Sequence, residues 1–466
     1  MSRPGMPDTA RLWPLSGVLR PEPRRAHLAA TGLTPRGVDA LWLVSAYVIA
    51  LLAIPANLTV PPLGSVGTPA VIIGLGALMW WISAQMNKSR ATLSPSQPVR
   101  RSMIWFTVAV LISYVAATTR PIEAVELSGS DRGLLLIASC LGIVLLASDG
   151  LRSVSEIEQS LRVLVALGGL VAVLGVTQFV TGQPIIDGIQ IPGLSPNNAI
   201  QNITDRDGFV RAAGTSTHPI EFGVALSMIL PLALHLAFAD PTRNRLARWF
   251  PIAAIAIAVP ITISRSALVG VVVGLVMILP SWPRHRRHMG YLAIGVLAVG
   301  IYLTIPGMLG TLTKMFTGIG EDGSAASRVD SYALAFDFIA RSPIIGRGLS
   351  TFLPQYRILD NQYLGLLIEV GIVGTVALLA VFFVAIRTAL ITRRRSADER
   401  TRSLALALAA SVAAGACSFA TFDAFGFPQV SCVVFLCIGM IGALSNLMGR
   451  EILSSGLPTP TTVRTR

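Results

Sequence analysis

The stretch RILDNQYLGLLIEVGIVG, residues 357–374, decides how this chain is to be read. An apolar segment long enough to enter a bilayer begins here, yet its mouth carries Asp360, Asn361, Gln362 and Tyr363, and Glu369 follows two turns in. Ionisable side chains at membrane depth are costly and are retained where they do something. On a helix, Gln362, Gly365 and Glu369 fall on one face at i, i+3 and i+7. That strip is polar or small among Leu, Ile and Val, so it is expected to face the interior of a bundle. Asp360 and Asn361 then stand at the helix mouth, where both residue types cap free N–H groups.

The rest of the chain supports a membrane setting. Of 466 residues, 53% are hydrophobic and 13% charged, and the mean hydropathy is +0.66. A soluble domain rarely has this composition. Apolar runs of spanning length recur near 38–56, 65–84, 102–118, 132–148, 161–181, 219–239, 248–264, 266–282, 289–306, 362–386, 403–421 and 428–448. An all-α bundle of about twelve spans is expected, with the boundary at Arg265 the least marked.

The formal net charge of +13 would suggest nucleic acid in a soluble protein. Here its distribution argues otherwise. With the N-terminus inside, the inner loops include QMNKSR, PTRNRLAR, PRHRRH and TRRRSADERTR, whereas the outer ones include RPIEAVELSGSD. Lys and Arg thus gather on one side, which is a topology signal and not a nucleic-acid patch. The expectation is a multi-pass protein of the inner or plasma membrane with both termini cytoplasmic. Residues 1–38 lack the apolar core of a signal peptide and read as a basic disordered cytoplasmic tail. Residues 39–448 form the transmembrane domain and 449–466 a second cytoplasmic tail. Cys140, Cys417, Cys432 and Cys437 lie in apolar runs and read as small core residues.

Two outer loops, 182–217 and 307–361, exceed a plain connection and are expected to fold over the bundle and carry function. The second contains SRVDSYALAFDFIARSP, where Val329, Tyr332, Ala333, Phe336 and Ile339 keep helical spacing. An amphipathic helix at the outer surface is expected there.

Candidate chemistry clusters at these outer mouths. Arg211 lies in FVRAAGTSTHPIEFG, where His218 and Glu221 stand at the start of a span; a cap role suits both. Arg265, in PITISRSALVG between two spans, is either a snorkelling residue or an anion site whose planar fork suits phosphate. Asp205-Arg206-Asp207 has the D-x-D form of some metal-using glycosyltransferases, a weak match in a polar loop. Asn57 and Asn202 begin glycosylation sequons. No cofactor motif stands out.

Three pieces in this order resemble the O-antigen ligase and polymerase family, bacterial enzymes that move lipid-linked glycans. They are RAAGTSTHPIEFG, ISRSALVG and the block from Ser327 to Gly374, in which Arg328, Pro343, Gly346, Gly348, Phe352, Asn361, Tyr363, Leu364, Glu369 and Gly371 fit the family pattern. The similarity is close over about 210–390 and rests on hydropathy elsewhere. It implies a polyprenyl-diphosphate-linked oligosaccharide as donor, a glycan or lipid acceptor, a bilayer, and no cofactor. It implies Asp360, Arg265 and Arg211 as catalytic, with Arg328, Arg347, Arg357, Asn361, Tyr363, Glu369, His218 and Glu221 on substrate. In that scheme Glu369 holds an arginine in place. Ligases of the family typically show His-Asn where this chain has Asp360-Asn361, which leans toward a polysaccharide polymerase or another relative. Two rivals stay open: a secondary transporter or lipid-linked glycan flippase, and a non-catalytic scaffold. Charges converging in one cavity at one end favour the enzyme; a midplane cavity with an internal repeat favours the transporter.

Overall fold

The computed structural model describes residues 39–86, 97–186, 188–197, 204–206, 209–241, 243–317 and 323–454. The expected tail 1–38 lies outside them. Each expected apolar run contains a helix, though several helices begin or end inside the expected bounds. In chain order the elements are α1 (Ala40–Leu52), β1 (Leu58–Thr59), α2 (Pro69–Met86), α3 (Pro98–Thr118), α4 (Ala124–Gly150) and α5 (Val154–Thr181). Then come β2 (Ser195–Pro196), β3 (Thr204–Arg206), β4 (Phe209–Arg211), α6 (Pro219–Ala239), α7 (Arg245–Ile261), α8 (Arg265–Ile278) and α9 (Arg284–Thr304). The chain continues through α10 (Met308–Thr317), α11 (Gly323–Arg341), α12 (Gln362–Glu369), α13 (Gly371–Arg395), α14 (Glu399–Ser418) and α15 (Pro428–Ser454).

Among the described residues, nine helices are long and apolar enough to cross a membrane. The protein is an all-α multi-pass membrane protein. α1 and the segment beginning at Arg265 are shorter apolar helices. α15 runs past its expected end at 448, to Ser454.

Burial orders the bundle. α6, α14 and α15 are mostly enclosed, whereas α2 and α3 show an outer face and α9 is almost wholly exposed. Helices in lipid gain little from apolar contact alone, so close approach depends on small residues. The α2–α4 crossing shows it: a Cβ on Gly142 would sit 2.0 Å from the Gly74 carbonyl oxygen. Cys140, Cys432 and Cys437 are buried as expected, but Cys417 is exposed on α14.

The two ends of the bundle differ. At one, Arg400 forks onto Glu158, Arg162 reaches Glu158 and Asp240, and Asp149 accepts from Trp81, Gln97 and Arg100. At the other, two short antiparallel ribbons fold over the helices. β1 pairs with β2, and β3 with β4, with Thr204 opposite Arg211.

The expected span 362–386 is not one helix. α12 ends at Glu369 and α13 restarts at Gly371, whose φ of +65° lies in the left-handed region that only glycine enters without strain. A break strands backbone groups, and in a membrane each must find a partner. The loop 343–348 supplies them. Arg347 and Gly348 N–H groups donate to the carbonyls of Ile368 (3.2 Å) and Glu369 (2.7 Å), and Ile372 and Val373 N–H groups donate to those of Pro343 (2.9 Å) and Ile344 (3.1 Å). Ser113 Oγ adds a 2.7 Å bond to the Glu369 carbonyl. Approach this close excludes a side chain: a Cβ on Gly371 would lie 2.3 Å from the Ile344 carbonyl oxygen. The glycines of SPIIGRG and EVGIVG therefore fit one another across the break.

The helix expected over 327–343 is α11, but its packed face differs from the expected one. Ala335 and Phe338 are buried, with Leu334 and Ile339, against Leu359, Leu364 and Ile368. Tyr332, Ala333 and Phe336 are exposed on the other side. The helix is apolar on both faces, so spacing alone could not say which one packs.

Candidate functional site at the ribbon end of the bundle

At the mouth of α12 the cap is Asn361. Its Oδ1 accepts from the N–H groups of Tyr363 (3.0 Å) and Leu364 (3.3 Å). The next residue ties the helix to the α14–α15 turn: Gln362 N–H donates to the Phe419 and Phe422 carbonyls, and Gln362 Oε1 accepts from Phe425 N–H at 2.7 Å. Asp360 precedes the cap residue. It is half-buried and lines a cavity of about 160 Å³ with Tyr332, Leu359, Asn361, Leu364, Ala420 and Thr421. Tyr363 turns away, its hydroxyl donating to the Ala416 carbonyl at 2.6 Å.

The same turn brings a second carboxylate. Asp423 accepts from Gly426 N–H. Although part of its surface is open, the surrounding protein and the nearby Asp360 charge push its pKa up to about 6. Sequence reading passed over Asp423 as part of the gap between two spans. The available signal was an acidic residue in the otherwise apolar turn FATFDAFGF.

The arginines stand on the neighbouring corner between α7 and α8. Arg211, buried at the end of β4, donates from Nε to the Thr262 carbonyl at 2.8 Å. Ile263 follows with φ +46°, unusual for a β-branched residue and a mark of a corner held by its surroundings. Ser264 caps α8 by accepting from Ala267 N–H, which leaves Arg265 half-buried at the first helical position. Ser266 then accepts from Thr421 Oγ1 at 2.8 Å. Thr421 also lines the Asp360 cavity, so one hydroxyl joins the Arg265 corner to the Asp360 wall.

His218 and Glu221 lie beside Arg211 and serve as caps. His218 Nδ1 accepts from Ile220 N–H at 3.1 Å. Burial, then the Arg211 charge, lowers the His218 pKa to about 4, so the ring is neutral near pH 7. Glu221 is fully buried; one oxygen accepts from Thr217 N–H and Oγ1, the other from Gln429 N–H, all at 2.8 Å. It locks α6 to the start of α15.

Two expected roles change. Among the described residues the Glu369 carboxylate meets no arginine: it accepts from the Phe352 N–H at 3.2 Å and from the Ser350 N–H. It anchors the turn after Gly348, where Ser350 adopts φ +59°. Arg347 is drawn aside to Glu126 at 3.1 Å, and its guanidinium lies 4.9 Å over the Phe338 ring. Arg120 and the Tyr356 hydroxyl meet the same carboxylate at 3.0 and 2.7 Å. Glu126 carried no signal of this role beyond its charge and that of Arg120 six residues before it, since Arg347 and Tyr356 lie more than 200 residues away. Arg357 is half-buried, three residues before Asp360, and does not line the cavity. The side chains of Arg328 and Asp205, and all of Asp207 and Asn202, lie outside the described residues. Among the described residues, no cluster of three His, Cys, Asp or Glu side chains could hold a metal ion.

At the ribbon end the bundle thus brings Asp360 and Asp423 beside the corner that carries Arg211 and Arg265. Residues 250–379, from α7 to α13, match the model of the family described as O-antigen ligase. The match supports a membrane enzyme in cell-surface polysaccharide biosynthesis. No curated protein matches the chain.

Proposed function

We propose that the protein transfers or polymerises glycans from a polyprenyl-diphosphate-linked donor on the extracytoplasmic face. The observation that supports this most is the division of labour at the mouth of α12. Asn361 does the capping, and Asp360 lines a cavity next to the Arg265 corner. In the reaction, the acceptor hydroxyl gives its proton to Asp360 and its oxygen bonds to the anomeric carbon. The bond from that carbon to the diphosphate breaks, and its electron pair leaves with the diphosphate oxygen. Arg265 and Arg211 neutralise the charge that grows there. Arg328 and Arg357 contact sugar or phosphate. Asn361 and Tyr363 shape the acceptor side, and neutral His218 stands by as an acceptor or donor, not a cation. Arg347, Glu369 and Glu221 serve by fixing the walls.

The Asp360 position, where ligases of the family carry His, favours polymerase over lipopolysaccharide ligase. A transporter or flippase reading draws on the break between α12 and α13, since broken helices carry substrate sites in transporters. Here loop 343–348 already satisfies the freed backbone groups, which favours the enzyme.

The test is a reconstituted assay. Purified protein given a lipid-linked oligosaccharide should extend or transfer the glycan and release polyprenyl diphosphate. Movement of the intact donor across the bilayer with no release would instead mean a flippase. Orientation is checked separately: a single Cys at exposed Gln355 should react with an impermeant thiol reagent from outside, and one at exposed Ala397 only after permeabilisation.

A further inference from the structure

At the end of the bundle away from Asp360, α6, the α8–α9 turn, α13 and α14 enclose a cavity of about 320 Å³. Arg286, Arg393 and Arg402 line it, with Glu399 the one carboxylate among the lining residues. Three guanidinium groups less one carboxylate leave a formal charge of +2, with His235 counted neutral. None of these three arginines is in an ion pair within 4 Å among the described residues. Arg393 and Arg402 repel one another. Arg286 lies 4.9 Å over the Phe238 ring, a contact that uses its face and leaves its N–H edge for other partners.

Converging like charges cost energy unless an anion joins them. We propose that this cavity binds the phosphate of an acidic phospholipid headgroup. Phosphate fits because several guanidinium forks can share its oxygens. A lipid fits better than a free ion because the wall is amphipathic. Beneath the arginines lie Leu234, Ile278 and Leu406, on helices that run into the bundle, and Trp282 stands at the turn where aromatic side chains mark the membrane interface. A soluble phosphate has no use for that wall. Basic pockets between membrane helices are established lipid-headgroup sites in general. The neighbouring Arg394 and Arg395 carry the same charge at the same end, and neither lines the cavity.

The test uses full-length protein in neutral detergent and reads bound lipid by native mass spectrometry. Dioleoyl phosphatidylglycerol is the probe, with dioleoyl phosphatidylcholine and inorganic phosphate as comparisons. The wild-type chain should retain phosphatidylglycerol and not phosphatidylcholine, and inorganic phosphate at equal concentration should not displace it. Arg393→Gln with Arg402→Gln should weaken retention at least about tenfold. Arg394→Gln with Arg395→Gln, which removes the same charge outside the cavity, should leave it unchanged. Arg286→Gln alone, on an exposed turn, should weaken it as well and serves if the first pair does not fold. Equal loss in both pairs would overturn the proposal, as would equal retention of phosphatidylcholine. Displacement by inorganic phosphate would overturn the lipid as occupant.

Discussion

Thr421 Oγ1 donates to Ser266 Oγ across 2.8 Å, and this bond joins the α14–α15 turn to the helix that begins at Arg265. The turn carries Asp423 and walls the Asp360 cavity, so the bond fixes the spacing between candidate base and candidate anion site. Thr421→Val should cost about 0.5–1.5 kcal/mol of stability as a lost hydrogen bond. Glycan transfer should fall by more than that loss of folded protein explains, measured per unit of folded enzyme. Thr421→Ser, which keeps the hydroxyl, should restore it.

Asp360 and Asn361 separate base from cap. Asn361→Ala should lower stability by about 0.5–2 kcal/mol, the usual worth of an N-cap. Asp360→Asn, which keeps the shape of the side chain, should leave the melting temperature in detergent nearly unchanged, whereas Asp360→Ala should lower it, since Asp360 has partners of its own. Both should reduce transfer at least ~100-fold, the low end of what a general base contributes. Asp360→His should keep some activity. A fully active Asp360→Asn enzyme would move the search for the base to Asp423 and His218.

Arg265→Lys should insert and fold normally yet fail to restore transfer, because an ammonium lacks the planar fork that grips diphosphate oxygens. Full activity in Lys or Ala would make Arg265 a snorkelling residue.

Asp423 predicts a pH effect. Its pKa in the folded protein is raised to about 6 from the usual carboxylate range near 4. Between those values the folded state holds a proton that the unfolded state has released, so stability falls as pH rises from about 4 to about 6 and the cost is complete above. Asp423→Asn removes that dependence. The variant should therefore be more stable than wild type at pH 7 and lose the difference by pH 4, read as melting temperature against pH.

The sequence made the apolar helices and the polar mouth of α12 legible, because these are local patterns of hydropathy and residue type. Asp360, Arg265 and Arg211 were found as charges at helix mouths; in the structure Arg211 bonds to Thr262, and Ser266, next to Arg265, bonds to Thr421 of the Asp360 cavity. What stayed hidden depends on distant contacts. Glu126 takes its meaning from Arg347 and Tyr356, and Glu369 from the turn at Ser350–Phe352. The break at Gly371 had a local signal in the glycine itself, but a glycine inside an apolar run is common enough that only loop 343–348 makes sense of it.

Gly371→Ala should show the cost of that fit. The new Cβ would be strained at φ +65° and would lie 2.3 Å from the Ile344 carbonyl oxygen. The left-handed conformation alone costs about 1–2 kcal/mol, so folded yield should drop sharply. Gly365→Ala, whose Cβ would meet nothing within 4 Å, should be tolerated or slightly stabilising. Equal behaviour of the two variants in detergent melting would sink the account of the break.

The stitched break also sets what Asp360 is measured against. α13 is the part of this hairpin that crosses the bilayer, and a continuous helix would shift its mouth whenever tilt or lipid thickness changed. α12 is instead bonded to loop 343–348 and to the α14–α15 turn. The depth of Asp360 is thereby indexed to its neighbours at the membrane surface, and α13 can adjust to thicker or thinner lipid without carrying the carboxylate along.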